Sequence, residues 1–237
     1  MSPLVYLCLF VCITLIHSTK TAEIQNAVGN ATGFRPHVHK YLVLLRIYDD
    51  GAGFLCSGSI IDKEWIISAA HCFAKHQYRK IKIIRKIDSN EHVLGFVSKY
   101  ANHPKFDITK GSKTAKYDLA LLKTRKPIQL SEFIKPIALA RLGAFGQKGI
   151  IAGYASKTPL EGAVVVNRCK WAPSDDGLLC SPYWAYAQNG DSGGALTTSN
   201  GLVGVISLRV GSETVYVNIS LHFDYIQKVT GKKLHKK

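Results

Sequence analysis

Apolar and polar residues along this chain come in short bursts rich in Ile, Val, Leu and aromatics, punctuated by Gly, Pro, Asn, Asp and Ser. Alternation of this kind, bounded by turn residues, predicts strands. They fall at residues 41–47, 57–61, 65–68, 80–84, 93–98, 118–122, 149–155, 163–167, 177–180, 194–197, 203–208 and 214–218. The longest loop is 102–116, with Pro104 and Gly111 inside it. Only the end reads as helix: Ser220 is placed to cap a segment carrying Phe223, Ile226 and Val229, and Gly231 to stop it. Many short strands and one terminal helix predict an all-β protein of packed antiparallel barrels or a sandwich.

At 237 residues the chain suits one large β domain or two small ones, and an apolar share of 46% argues against disorder. Residues 4–16 are apolar almost throughout, too short to cross a bilayer, and are followed by Ser18-Thr19. This predicts a secretory leader over 1–18, with cleavage near Ser18 or Ala22, although no Lys or Arg precedes the apolar run. A buried N-terminal helix is the alternative. A short propeptide, 19–26, and a folded region, 27–237, are expected to follow. No later segment reads as a membrane helix.

Loss of the leader removes Cys8 and Cys12 and leaves Cys56, Cys72, Cys169 and Cys180. An even set in a secreted chain implies disulfides, with three pairings open on sequence alone. Pairing nearest neighbours would close two short loops, each bridge worth roughly 2–4 kcal/mol. A zinc site is less suited, because no C-x-x-C spacing is present. His37 and His39 flank Val38 as a conceivable metal pair, but without a third ligand they read as surface residues.

The net charge is +15 and uneven: residues 75–126 hold fourteen Lys or Arg against four Asp or Glu. Lys75, Arg79, Lys80, Lys82, Arg85 and Lys86 partly alternate with isoleucines, as on a strand with one wet basic face. Lys232, Lys233, Lys236 and Lys237 add a basic tail. The face reads either as a solvated surface or as a dock for a polyanion or an acidic protein. Nucleic acid is not expected, since no recognition helix or stacking-aromatic motif accompanies the charge.

Three motifs carry chemistry. Ser68-Ala69-Ala70-His71-Cys72 follows an apolar strand, Asp118-Leu119-Ala120-Leu121-Leu122 starts another, and Gly190-Asp191-Ser192-Gly193-Gly194 comes later. A serine hydroxyl needs a base to become a nucleophile, and an imidazole oriented by a buried carboxylate is the usual one. The glycine-flanked serine also fits the G-x-S-x-G elbow of α/β-hydrolases. That elbow wants its acid and base after the serine, where only His222 and Asp224 follow, on the terminal helix and facing solvent.

Taken together, these motifs resemble the trypsin/chymotrypsin-like serine protease family, from about Ala27 to Gly231. Gly149-Ile150-Ile151-Ala152-Gly153-Tyr154 and Ser207 add to the likeness. The resemblance implies two antiparallel six-stranded β-barrels meeting near 125–140, with a C-terminal helix and the site in the cleft between them. It implies catalysis by His71, Asp118 and Ser192, and an oxyanion hole from the N–H groups of Gly190 and Ser192. Nearest-neighbour disulfides also match the family, as does the absence of any cofactor.

The chain departs from the family's pattern in two places. The specificity pocket, formed by Tyr186, Ser207 and Arg209, carries Tyr186 where tryptic members have Asp, and Arg209 where the family has glycine. Gln188 and the return through Gly211-Ser212-Glu213 lack the usual bracing cysteines. Cleavage after Lys or Arg is therefore not expected. A new N-terminus should pair with Asp191, yet the best match to the family's activation sequence is Ala27-Val28-Gly29-Asn30, with no basic residue directly before it. Asn30 and Asn218 are glycosylation sequons. Calcium is not expected, because the loops after the histidine motif offer only Asp88 and Glu91. The expectation is a secreted, monomeric, non-tryptic serine endopeptidase acting on proteins or peptides. Its alternative is a protease homologue that binds an anionic or protein partner.

Overall fold

A computed structural model describes residues 35–48, 53–74, 80–87, 90–142, 144–155, 158–175, 177–182 and 190–233. The leader, the 19–26 propeptide, Ala27, Val28, Asn30, Tyr186 and Gln188 lie outside them. Six strands build the first half: β1 (Leu42–Tyr48), β2 (Phe54–Asp62), β3 (Trp65–Ser68), β4 (Lys80–Ile87), β5 (Asn90–Asn102) and β6 (Ala120–Thr124). They close into an antiparallel barrel in the order β1-β2-β3-β6-β5-β4. Alternation drives the closure, because Leu45, Ile47, Ile60, Ile66, Ile81, Ile83 and Leu122 are buried together inside it.

The second half contains β7 (Lys148–Ala155), β8 (Thr158–Val165), β9 (Leu178–Pro182), β10 (Ala195–Thr198), β11 (Gly201–Val210) and β12 (Glu213–Asn218). Their order, β8-β7-β10-β11-β12-β9, is a six-stranded sheet that the ladders themselves leave open, a half-barrel rather than a closed one. Its two edges are joined just past β8: Asn167 and Cys180 exchange backbone hydrogen bonds of 2.7 and 2.8 Å. The Cys169–Cys180 disulfide reinforces that seam, and Cys56–Cys72 ties β2 to the turn after β3.

Helix α1 (Phe223–Thr230) buries Phe223 and Ile226 and ends at Gly231, whose φ of 67° is the left-handed conformation glycine supplies. Ser220 does not cap it. It lies in the 3-10 turn Ile219–Leu221, where Asn218 caps the Ser220 N–H, and the residue preceding α1 is His222. Asn218 is only 4% exposed, and its side-chain oxygen accepts from both the Ser220 N–H and the Ser220 hydroxyl. His222 is buried, not solvent-facing. Its ring packs edge-on at 5.1 Å to His103, which stacks at 4.9 Å on Tyr117.

Polar groups also cross between the halves. Arg85 is buried in β4 and donates to the carbonyls of Leu42 and Pro36 at 2.8 and 2.6 Å. His39 is buried as well, contrary to the surface position expected of it, while His37 is exposed. Nε2 of His39 lies 2.8 Å from Glu161 of β8, and Nδ1 lies 3.0 Å from the Tyr41 hydroxyl. Glu161 also accepts from the Arg35 backbone N–H and guanidinium at 3.0 and 2.8 Å. Burial lowers the His39 pKa more than Glu161 raises it. For Glu161, burial alone would raise the pKa, but Arg35 outweighs it and holds the carboxyl low. The pair is therefore a neutral imidazole donating to a carboxylate.

His103 behaves similarly. Burial, then His222 and Lys105, push it down to about 4, and its Nδ1 accepts the Lys105 N–H, which requires that nitrogen to be unprotonated. For both histidines the folded pKa lies below the unfolded one, so below pH 6.5 the unfolded chain binds more protons. Stability is expected to fall as pH drops from about 6.5 toward 4, with Glu161 adding to the loss at the acid end. Urea unfolding at pH 7, 5.5 and 4 checks this, and an unchanged or rising midpoint contradicts it.

Candidate active site

The site begins with a buried acid. Asp118 follows the 3-10 turns of Ile108–Tyr117 and sits just before β6, 2% exposed. Its Oδ1 accepts the backbone N–H of His71 at 2.7 Å. Its Oδ2 lies 2.7 Å from His71 Nδ1 and accepts the Ser207 hydroxyl at 2.6 Å. Three donors thus replace the hydration that burial of a carboxylate removes. Because a carboxylate only accepts, Nδ1 carries the imidazole proton and Nε2 is left as the basic nitrogen. His71 itself lies in the 3-10 turn Ala70–Phe73, with its ring partly exposed.

Gly190 to Gly194 is docked against the first barrel at several points. The Ser57 N–H donates to the Ser192 carbonyl at 2.7 Å, and the Ser57 hydroxyl donates to the Gly190 carbonyl at 2.9 Å. That hydroxyl also accepts the Tyr154 N–H of β7 at 2.8 Å. The Ser68 hydroxyl, three residues before His71, donates to the Ser57 carbonyl at 2.7 Å. Gly193 has a φ of 82° and lies so close to Ser68 and Ser57 that a Cβ would collide with both. The loop therefore lies on the end of β3, beside the histidine turn. Among the described residues no hydrogen bond joins the Ser192 hydroxyl to the His71 ring, so the contact formed in this structure is the His71–Asp118 pair. Nor do the N–H groups of Gly190 and Ser192 have an acceptor among those residues.

Asp191 is buried, its carboxylate packed on the Cα side of Gly153 in β7, where any larger residue would strike it. A cavity of about 210 Å³ opens beside His71, walled by Phe106, Ile108, Ala115 and Leu208, with Asp118 and Ser207 at its polar end. Ser207, expected in the specificity pocket, has its hydroxyl committed to Asp118. Arg209 is exposed and donates through Nε to the Gly211 carbonyl at 2.9 Å. No cluster of three or more His, Cys, Asp or Glu is arranged to hold a metal among the described residues.

A closed six-stranded barrel beside a six-stranded half-barrel, with an Asp–His pair and a glycine-bounded serine loop where they meet, defines the chymotrypsin-like class of β proteins. The family model for Trypsin matches residues 29–229, and the chain belongs to the trypsin family. It is 26% identical to Trypsin 5G1 of Aedes aegypti over 231 residues, covering 84% of each chain. It is 29% identical to Kallikrein-8 of Homo sapiens over 211 residues, covering 77% of this chain and 80% of that one. The solved structure of neuropsin, a serine protease expressed in the limbic system of mouse brain, superposes with a TM-score of 0.71 at 22% identity. It covers 84% of this chain and 98% of its own.

Sequence reasoning missed Ser57. It sits in a mostly apolar strand directly after a cysteine, and a polar residue buried there was the one available signal. It missed Glu161 too, which reads as an ordinary outward residue of a hairpin. Replacing Ser57 with Ala removes a hydroxyl that serves two buried backbone groups and leaves both unpaired. The variant should lose about 1–3 kcal/mol of unfolding free energy in urea, and Ser192 should become less reactive toward an active-site probe. Unchanged stability and labelling would show that the relay is dispensable.

Proposed function

We propose that this chain is a secreted serine endopeptidase that hydrolyses peptide bonds through Ser192, His71 and Asp118. The single observation that carries the reading is the Asp118–His71 pair: a carboxylate 2% exposed, 2.7 Å from Nδ1, which directs Nε2 outward as a base. In the reaction, Ser192 Oγ attacks the scissile carbonyl carbon while Nε2 takes the hydroxyl proton. The negative charge that develops on the carbonyl oxygen is received by the N–H groups of Gly190 and Ser192. The imidazolium, stabilised by Asp118, then protonates the leaving amine as the C–N bond breaks. Water repeats the sequence on the acyl-enzyme and frees Ser192.

Specificity other than for Lys or Arg follows from two features. Tyr186 offers no negative charge at the position where tryptic relatives carry Asp, and the cavity beside His71 is walled mainly by apolar side chains. Two disulfides suit an oxidising compartment and support secretion after removal of the 1–18 leader. A second reading, a protease fold retained to bind an anionic partner, is favoured by the uncompensated basic face of the first barrel.

An organophosphonate probe should label the N-terminally processed protein at one residue and leave Ser192→Ala unlabelled. No labelling of any processed form, alongside labelled trypsin, ends the peptidase reading. Asp118→Asn should lower kcat/KM by on the order of 10⁴, the size this exchange has in the general triad, by reversing the imidazole tautomer. Peptide-hydrolysis kinetics check that, and a loss below about tenfold would take Asp118 out of the mechanism.

A further inference from the structure

We propose that the outer face of β4, β5 and β6 is a binding site for a sulfated polysaccharide. Residues directly opposite one another on antiparallel strands share a face. Arg46 of β1 pairs with Lys82 of β4, Lys82 pairs with Phe96 of β5, and Lys99 of β5 pairs with Lys123 of β6. The residues between them, Leu45, Ile47, Ile81 and Ile83, point into the barrel and are buried. The cations therefore lie on one wet surface.

Phe96 organises that surface. Lys80 Nζ lies 4.8 Å from its ring centre and the Arg125 guanidinium 5.7 Å, so one aromatic holds two cations. The Arg125 N–H donates to the Phe96 carbonyl at 2.8 Å, fixing Arg125 beside it. Lys123 is held over Trp65 in the same way, at 5.9 Å.

Carboxylates do not neutralise the array. Glu91 serves Arg46 at 2.9 Å and lies 3.9 Å from Lys86. Among the described residues Lys80, Lys82, Lys99 and Arg125 have no ion-paired carboxylate, and the Glu64 carboxylate near Lys123 is already taken by Lys232. Like charges directly opposite each other, as at Arg46–Lys82 and Lys99–Lys123, destabilise a sheet, and an anion laid across them relieves that repulsion. Neighbouring cations along a strand stand about 7 Å apart and adjacent strands about 5 Å, which forms a curved lattice of point charges on the barrel wall. Such a lattice fits a linear polymer with a repeating charge rather than one discrete ion. The disulfides place the chain where such polymers are sulfated glycans rather than nucleic acids. The proposal specifies the partner reading given above and does not depend on whether Ser192 is reactive.

The test compares the processed protein with two triple variants of equal charge. Lys80→Gln/Lys82→Gln/Lys99→Gln alters the face, and Lys113→Gln/Lys135→Gln/Lys148→Gln removes exposed lysines elsewhere. Affinity for immobilised heparin is measured by surface plasmon resonance at several NaCl concentrations. The face variant should bind about tenfold more weakly or worse and show a shallower salt dependence, while the control changes less than about twofold. The corresponding triple Lys→Arg variant should restore binding. Chemically desulfated heparin should fail to bind, and Ser192→Ala should bind as the parent does. Equal losses in both variants reduce the effect to net charge and overturn the site. Absence of binding at physiological salt overturns it outright, and poly-glutamate or duplex DNA competing as well as heparin overturns the ligand class. Heparin binding by a protein that no active-site probe labels would sink the peptidase and leave this inference standing.

Discussion

The arrangement rests on a buried hydroxyl. Ser57 is held in β2, yet its side chain and backbone reach β7 through Tyr154 and the serine loop through Gly190 and Ser192. Each bond is ordinary in strength, but all are buried, and breaking one strands a polar group where water does not reach. The position of Ser192 beside the histidine turn is therefore set by the first barrel, although the serine belongs to the second half of the chain. Gly193 makes the approach possible, since any side chain there would push the loop off Ser68.

Asp118 solves a related problem. A carboxylate this deeply buried is costly, and the fold offsets the cost with donors from three places: the His71 backbone, the His71 ring and Ser207 of β11. The first two come from one turn and the third from the other half of the chain. The acid thereby orients the imidazole and couples the two halves at the same point. The Cys56–Cys72 bridge limits how far the histidine turn can move away.

A second polar junction, remote in sequence from the first, joins the segment before β1 to the second sheet. Glu161 gathers Arg35 and His39, and nearby Arg85 donates to the carbonyls of Pro36 and Leu42. Buried charges of this kind contribute less to stability than to register, because an apolar replacement would pack as well without dictating which partner it meets.

Much of this was legible in the residues. Period-two alternation located twelve strands, each overlapping the one observed, because alternation reports which face of a strand is dry. Gly231 ended the helix as predicted, in the left-handed conformation that glycine supplies. The motifs around His71, Asp118 and Ser192 were visible because local turn chemistry constrains their neighbours. Partners across the sheet were not legible. His39 looked like a surface histidine and His222 looked solvent-facing, because each finds its neighbour more than a hundred residues away. The edges of the second sheet, too, were left for Asn167 and Cys180 to join. Sequence by itself determined the strand pattern and the residue types at the candidate site, since these follow from local periodicity and chemistry. Tertiary structure alone decided which buried polar groups meet, because desolvation makes such groups take whatever partner the packed halves bring within reach.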